Sequence, residues 1–297
     1  MKTVDDIQNI LVVGAGTLGM RIALRCAFDG YQVTMFDISQ KQIKVALDMQ
    51  AHLTMSYLKK GMIDQEMAER GQAYLDVSSD LAEACKNTDL ISESIIENID
   101  LKRDFYQGLM NHVADDVIIT TNTSYLLPSD LADCITKPER FCALHFHDVF
   151  NQTVVDVMPH SGTAFWVNDL LMEFGRRIHQ IPVFIKKENS GYIFNSMLMA
   201  ILGQAGSLAV HDVGSIADID RSFMGNFGTP IGPFGMMDQV GLDTAHHIVS
   251  ARTDRKSVEF AAFIKGYVDQ GKLGFKSGEG FYKYPEPEFM QKGFLKP

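Results

Sequence analysis

The stretch "NILVVGAGTLGMRIALRCAFDGYQVTMFDIS", residues 9–39, decides the architecture of the first half of the chain. It runs from an apolar segment, Ile10 to Val13, through a cluster of glycines into a helical pattern, then into a second apolar run ending at Asp37. That order predicts a β-α-β unit. Gly14, Gly16 and Gly19 stand as G-x-G-x-x-G directly after the first strand, the spacing of a dinucleotide-binding loop. The first glycine permits the tight turn, the second lets a pyrophosphate approach the backbone, and the third lets helix and strand pack closely. Gly14, Gly16, Thr17, Leu18 and Gly19 are therefore expected to cradle the cofactor's phosphates at a helix N-terminus. Asp37 is expected to accept hydrogen bonds from the ribose hydroxyls and to repel a 2′-phosphate, with no arginine immediately after it to rescue one. The expected cofactor is NAD rather than NADP.

Bulk properties narrow the rest. A chain of 297 residues exceeds the usual size of a single core, so two domains are expected. A formal net charge of -10 leaves no basic excess to neutralise phosphates and argues against nucleic acid. No run is long and apolar enough to span a membrane. The cysteines Cys26, Cys85, Cys134 and Cys142 are scattered, and the polar start MKTVDDIQ lacks a secretory pattern, so reduced thiols in a cytoplasmic protein are expected.

The alternation continues through "TDLISESII", "DVIITTNTS" and "RFCALHF", separated by helical stretches such as "DLKRDFYQGLMNHV". "TVVDVMPH" and "IPVFIKK" read as further strands. The expectation is an α/β fold, a doubly wound parallel sheet of Rossmann type over residues 1–187. Ligands in such sheets sit at the carboxyl ends of strands, which places Glu97, Asn98, Asn122 to Ser124, and His145 on one rim beside the cofactor. After about residue 188 the pattern turns helical with glycine and proline punctuation, and an all-α domain is expected over 188–297. Its apolar faces could supply a homodimer interface.

"ALHFHDVFNQTVVDVMPH", residues 143–160, brings His145, His147, His160, Asp148 and Asp156 close in sequence, and either metal binding or proton transfer would use such a set.

The chain resembles the 3-hydroxyacyl-CoA dehydrogenase family nearly end to end. The resemblance rests on "VGAGTLG" with Asp37, "ESIIENIDLK" (93–102), "TNTS" (121–124), "RFCALHF" (140–146), "SGYIFNSML" (190–198), "GTPIGPFGMMDQVGLDT" (228–244) and "GKLGFKSGEGFYKY" (271–284). It implies a first domain that binds NAD, a helical domain that dimerises and closes one side of the cleft, and oxidation of an L-3-hydroxyacyl thioester to the 3-ketoacyl thioester. His145 matches the family's catalytic histidine, Asp156 falls where its glutamate partner stands, and Ser124 and Asn195 match residues that hydrogen-bond the substrate oxygen or the histidine. Glu97 matches a polar position near the cofactor, and Asn122 is expected there too. His147, His160 and Asp148 are expected to be scaffold, with no metal.

The sequence departs from the family where the histidine is followed by Phe-Phe-Asn-Pro. Here "HFHDVFNQ" has no proline, and the acid is an aspartate, shorter by one methylene. Ser190 stands in place of a proline before Gly191, and Phe275 where arginine is common. The leading expectation is a short-chain enzyme acting on a substrate such as 3-hydroxybutyryl-CoA. A dehydrogenase of a free hydroxy acid, like carnitine or gulonate dehydrogenases, and a non-catalytic NAD-binding protein stay open beside it.

Overall fold

The structure, a computed structural model, describes residues 2–296. The chain forms two compact units, one ending at Ile193 and the other starting at Phe194. Composition places the boundary at 187/188. It falls a few residues later because Tyr192 belongs to the first unit, where its hydroxyl donates to the Thr123 carbonyl at 2.8 Å.

The first unit is built on β1 (Asn9–Val13). Ile10 and Val12 point into one core, Leu11 and Val13 into another on the opposite face. A strand covered on both faces reads as one unbroken apolar run, which is how it is recognised in the sequence. There follow α1 (Thr17–Phe28), β2 (Gln32–Phe36), α2 (Gln40–Lys59), α3 (Gln65–Ala73), β3 (Leu75–Ser78) and α4 (Leu81–Ala84). Then come β4 (Leu90–Glu93), α5 (Ile99–Leu109), β5 (Ile118–Thr121), β6 (Phe141–Phe146), β7 (Val154–Met158), α6 (Phe165–Arg177) and β8 (Ile181–Phe184).

The strands make one sheet in the order β3-β2-β1-β4-β5-β6-β7-β8. The winding reverses beside β1, so the carboxyl ends of β1 and β4 flank the crevice where such sheets bind ligands. Two features differ from the sequence reading. β3 is an edge strand of four partly exposed residues, too short and too polar to give a strand signal. The β6–β7 pair is antiparallel, while every other pair is parallel. The segment 147–153 between them is too short for a crossover, which takes about a dozen residues or more, so the chain turns back as a hairpin.

The second unit packs α7 (Phe194–Val210), α8 (Ile216–Phe227), α9 (Pro233–Val240), α10 (Leu242–Ser250) and α11 (Arg255–Val268) around Phe234, Met237, Leu242, Phe260 and Ile264. Two buried acids organise it. Asp220 on α8 accepts from the amides of Phe234 and Gly235 at 2.9 and 3.0 Å, capping the first turn of α9. Asp238 accepts from the amides of Phe281 and Tyr282 and from the Tyr284 hydroxyl, and so ties the C-terminal segment down.

One ion pair stiffens the rim of the sheet. Glu93, the last residue of β4, and Lys102 on α5 are fully buried and meet at 2.5 Å. Glu93 also accepts from the Ile95 amide at 2.8 Å, the Tyr106 hydroxyl at 2.9 Å and the Thr121 hydroxyl at 2.7 Å, so β4, β5 and α5 share one carboxylate. Removing one partner of a buried pair leaves the other charge uncompensated. Lys102→Met is expected to destabilise the protein by about 3 kcal/mol or more. At that size the melting temperature falls by roughly 6 °C or more, measurable by thermal denaturation. A midpoint within a degree of the parent protein would show that the pair does not hold the rim.

Candidate active site

The loop after β1 fits a dinucleotide. Gly14 has φ of +99°, and a Cβ there would stand 2.6 Å from the Ser94 carbonyl oxygen. A Cβ on Gly19 would stand 2.0 Å from the Gly14 oxygen, whereas one on Gly16 would meet nothing within 4 Å. Two glycines are thus required by packing, and the third leaves room above the backbone for a phosphate. Gly16 caps α1 without a side chain, so no side-chain oxygen competes for the first-turn amides of Thr17, Leu18 and Gly19, whose partial positive charge suits an anion. Asp37 follows β2, its carboxylate oriented by the amides of Ala15 at 2.9 Å and Ser39 at 2.8 Å. Each oxygen has capacity left for a ribose hydroxyl.

β6 and β7 bring an imidazole and a carboxylate together. Their register sets His145 directly opposite Asp156. His145 Nδ1 lies 3.1 Å from Asp156 Oδ2, and Nε2 lies 3.2 Å from the Ser124 hydroxyl. A carboxylate accepts only, so Nδ1 carries the proton and Nε2 presents its lone pair. The Tyr192 ring stacks on the imidazole, with centroids 4.6 Å apart. Burial pushes the His145 pKa below 6.5, outweighing the raising influence of Asp156. Burial would raise the Asp156 carboxyl, but hydrogen bonds from His145 and His147 overcome it and hold the pKa below the usual carboxylate value.

Ser124 is placed by Glu97. One Glu97 oxygen accepts from the Thr123 hydroxyl and from the amides of Ser124 at 3.0 Å and Tyr125 at 3.1 Å. Asn122 accepts from the Phe146 amide at 2.8 Å and donates to the Ser94 hydroxyl at 3.2 Å, linking the ends of β5, β6 and β4. Both residues are expected from sequence to contact cofactor, and in the structure their side chains also brace the rim. Asp148 pairs with Arg21 on α1 and accepts from the amides of Phe150 and Asn151, closing the turn that replaces the proline. His160 meets the Pro138 carbonyl and the Gly162 amide, holding the bend after β7.

His147, expected from sequence to be scaffold, turns toward Asp156. Its Nε2 lies 3.0 Å from the same Asp156 oxygen that serves His145. The ligating atoms of His145, His147 and Asp156 lie within 4.8 Å of one another, and both imidazoles stand at hydrogen-bond distance from the carboxylate. Tyr192, Lys102 and Glu93 escape sequence reasoning, since their roles depend on strand ends that meet only in the fold. Asn195 lies in the first turn of α7 and Phe275 in the helical unit, edge-on to Tyr284. Ser190, in place of proline, donates to the Tyr125 carbonyl at 2.7 Å.

Such a site moves a proton and a hydride together. NAD, when bound, would supply the hydride acceptor, and an imidazole whose Nδ1 faces a carboxylate and whose Nε2 lone pair is free is suited to taking a hydroxyl proton. The cradle and the buried pair define an NAD-dependent oxidoreductase. Residues 9–189 match the description "3-hydroxyacyl-CoA dehydrogenase, NAD binding domain", and residues 191–284 the C-terminal domain of the same description. The chain belongs to the 3-hydroxyacyl-CoA dehydrogenase family. It is 31% identical over 290 residues to the mitochondrial hydroxyacyl-coenzyme A dehydrogenase of Mus musculus, covering 94% of this chain and 91% of that one. Among solved structures it resembles a diketoreductase, at 38% identity, TM-score 0.88 and coverage of 96% of this chain and 100% of the other. It also resembles the (S)-3-hydroxybutyryl-CoA dehydrogenase of Ralstonia eutropha, at 26% identity, TM-score 0.85 and coverage of 94% and 100%.

Three expected outcomes follow from the geometry. Asp37→Ala should narrow the preference for NAD over NADP, measured as the ratio of kcat/KM for the two; an unchanged ratio assigns selectivity elsewhere. His145→Gln should lower turnover by about 10² or more while NADH affinity, read by fluorescence titration, stays nearly intact. The neutral base exists above its pKa, and burial sets that pKa below 6.5. For the parent enzyme, kcat/KM for oxidation therefore stays level through neutrality and falls only as pH drops through a midpoint below 6.5. A midpoint above that value contradicts the burial argument.

Proposed function

We propose that the protein transfers hydride between NAD and C3 of a short-chain 3-hydroxyacyl thioester, with 3-hydroxybutyryl-CoA and acetoacetyl-CoA as the substrate pair. The observation that carries this reading is the Ser124–His145–Asp156 line on the rim of an NAD-binding sheet, within a family match running from residue 9 to residue 284. In this reading His145 is the base, Asp156 its orienting partner, and Ser124 a donor to the substrate oxygen. Asn195, carried by the match to the C-terminal domain, is a further donor to that oxygen. Lys59 and Lys60, both exposed at the end of α2, are cations of the kind CoA phosphates would need. Lys102 is withdrawn from that role, because it is fully buried against Glu93.

A second reading is favoured by one specific observation, the 38% identity to a diketoreductase that acts on dicarbonyl compounds. In that reading the substrate is a free keto compound without CoA. A dimer through the helical unit belongs to the leading proposal, supported by exposed Met197, Ile201, Val213 and Phe227, and its sedimentation mass reads it. A cytoplasmic setting is proposed from four buried, unbridged thiols, and no resident metal is invoked.

NADH oxidation with acetoacetyl-CoA, run beside free 3-keto acids and 3,5-dicarbonyl compounds, separates the readings. The leading one expects kcat/KM for the thioester to exceed that for the free acids by about tenfold or more, the worth of one well-placed charged contact. Equal or greater efficiency with a free dicarbonyl installs the second reading in its place.

A further inference from the structure

His147 touches the reacting pair from a side that the chemistry described above does not use. We propose that His147 is a positioning residue for proton transfer, holding the Asp156 carboxylate and lowering the readiness of His145 to stay protonated. The proposal rests on His145 being the base, and it holds for any hydroxyl substrate.

The argument begins with one oxygen. Asp156 Oδ2 lies 3.1 Å from His145 Nδ1 and 3.0 Å from His147 Nε2, and the two rings meet edge to face at 4.6 Å. Side-chain exposure is 4% for His145, 7% for His147 and 2% for Asp156, so water does little to satisfy or screen the group. Inside such a network the carboxylate needs donors, and both imidazoles supply one. The second donor does for the short aspartate what reach does for a longer acid: it fixes where the carboxylate points.

Sharing has a second effect. An oxygen that accepts from His147 has less negative charge to offer an imidazolium at His145. If both rings were protonated, two positive charges would face one negative charge across a few ångströms. The titratable groups facing His145 are Asp156 from β7, Glu97 from the segment after β4, the stacked Tyr192, and His147. Asp156 and Glu97 favour its protonation; His147 and burial oppose it. Through His147 the base sheds its proton sooner after each oxidation.

The test compares His147→Phe, which keeps an aromatic ring but no donor, with His147→Gln, which keeps an N–H donor but no titratable charge. Titration of the His145 ring is followed by NMR in the NADH-bound protein without substrate. Its midpoint is expected to rise by about one pH unit in His147→Phe and by less in His147→Gln. Turnover is expected to fall by about tenfold in His147→Phe with KM for NAD unchanged, and to recover to within about twofold in His147→Gln. An unmoved His145 midpoint in either variant overturns the proposal, as does an equal loss of turnover in both. If His147→Phe does not fold, the midpoint in His147→Gln decides alone. Because the titration needs no acyl substrate, failure with acetoacetyl-CoA overturns only the proposed substrate, and an unmoved midpoint in an enzyme active on thioesters overturns only the role of His147.

Discussion

The register of β6 against β7 is the constraint on which the site depends. It sets His145 opposite Asp156 across an antiparallel pair, and a slip by one residue would turn the acid to the other face of the sheet. The hairpin turn that fixes this register is held by Asp148, through its acceptance of two backbone amides and its pairing with Arg21 on the dinucleotide-binding helix. Val149 in that turn has φ of +87°, a strained value for a β-branched residue, and is buried against the core while its carbonyl accepts from the Gln180 side chain. Packing and hydrogen bonds therefore hold this turn without a proline. The shorter acid reaches the imidazole within this frame because its backbone is paired directly with that of His145.

The remaining groups reach the same edge from separate strands, and buried polar contacts keep them in register. Glu93 gathers β4, β5 and α5; Glu97 fixes the segment Thr123 to Tyr125; Asn122 joins the ends of three strands. Ion pairs and amides at such depth add little net stability compared with apolar packing, but they tolerate few alternative arrangements. A rim built this way places the Ser124 hydroxyl against His145 Nε2 before any substrate arrives, and preorganisation of that kind is what hydride transfer requires.

The two units use buried acids differently. In the helical unit Asp220 and Asp238 accept backbone amides and tyrosine hydroxyls, and burial raises the pKa of both. In the sheet unit Asp156 receives two imidazole donors that hold its carboxyl down. The first arrangement caps a helix and anchors a loop. The second keeps a negative charge beside the His145 imidazole.

The sequence by itself determined whatever depends on local pattern. The apolar run at Ile10 to Val13, the glycine spacing and the acid at Asp37 specify a β-α-β cradle because strand burial, turn sterics and helix-end electrostatics act over a few neighbouring residues. The change to helical texture near residue 188 is equally local. The 147–153 gap also held the information for a hairpin, since it is too short for a crossover, although alternation alone suggested a uniformly parallel sheet. The edge strand β3 was illegible, because four half-exposed residues become a strand only when β2 offers hydrogen bonds. Likewise, only the tertiary structure decided that His147 turns toward Asp156, that Tyr192 stacks on His145, and that Glu97 and Asn122 brace the rim. Those contacts join residues far apart in the chain or across a hairpin, and their geometry is set by strand order and register, which no local pattern encodes.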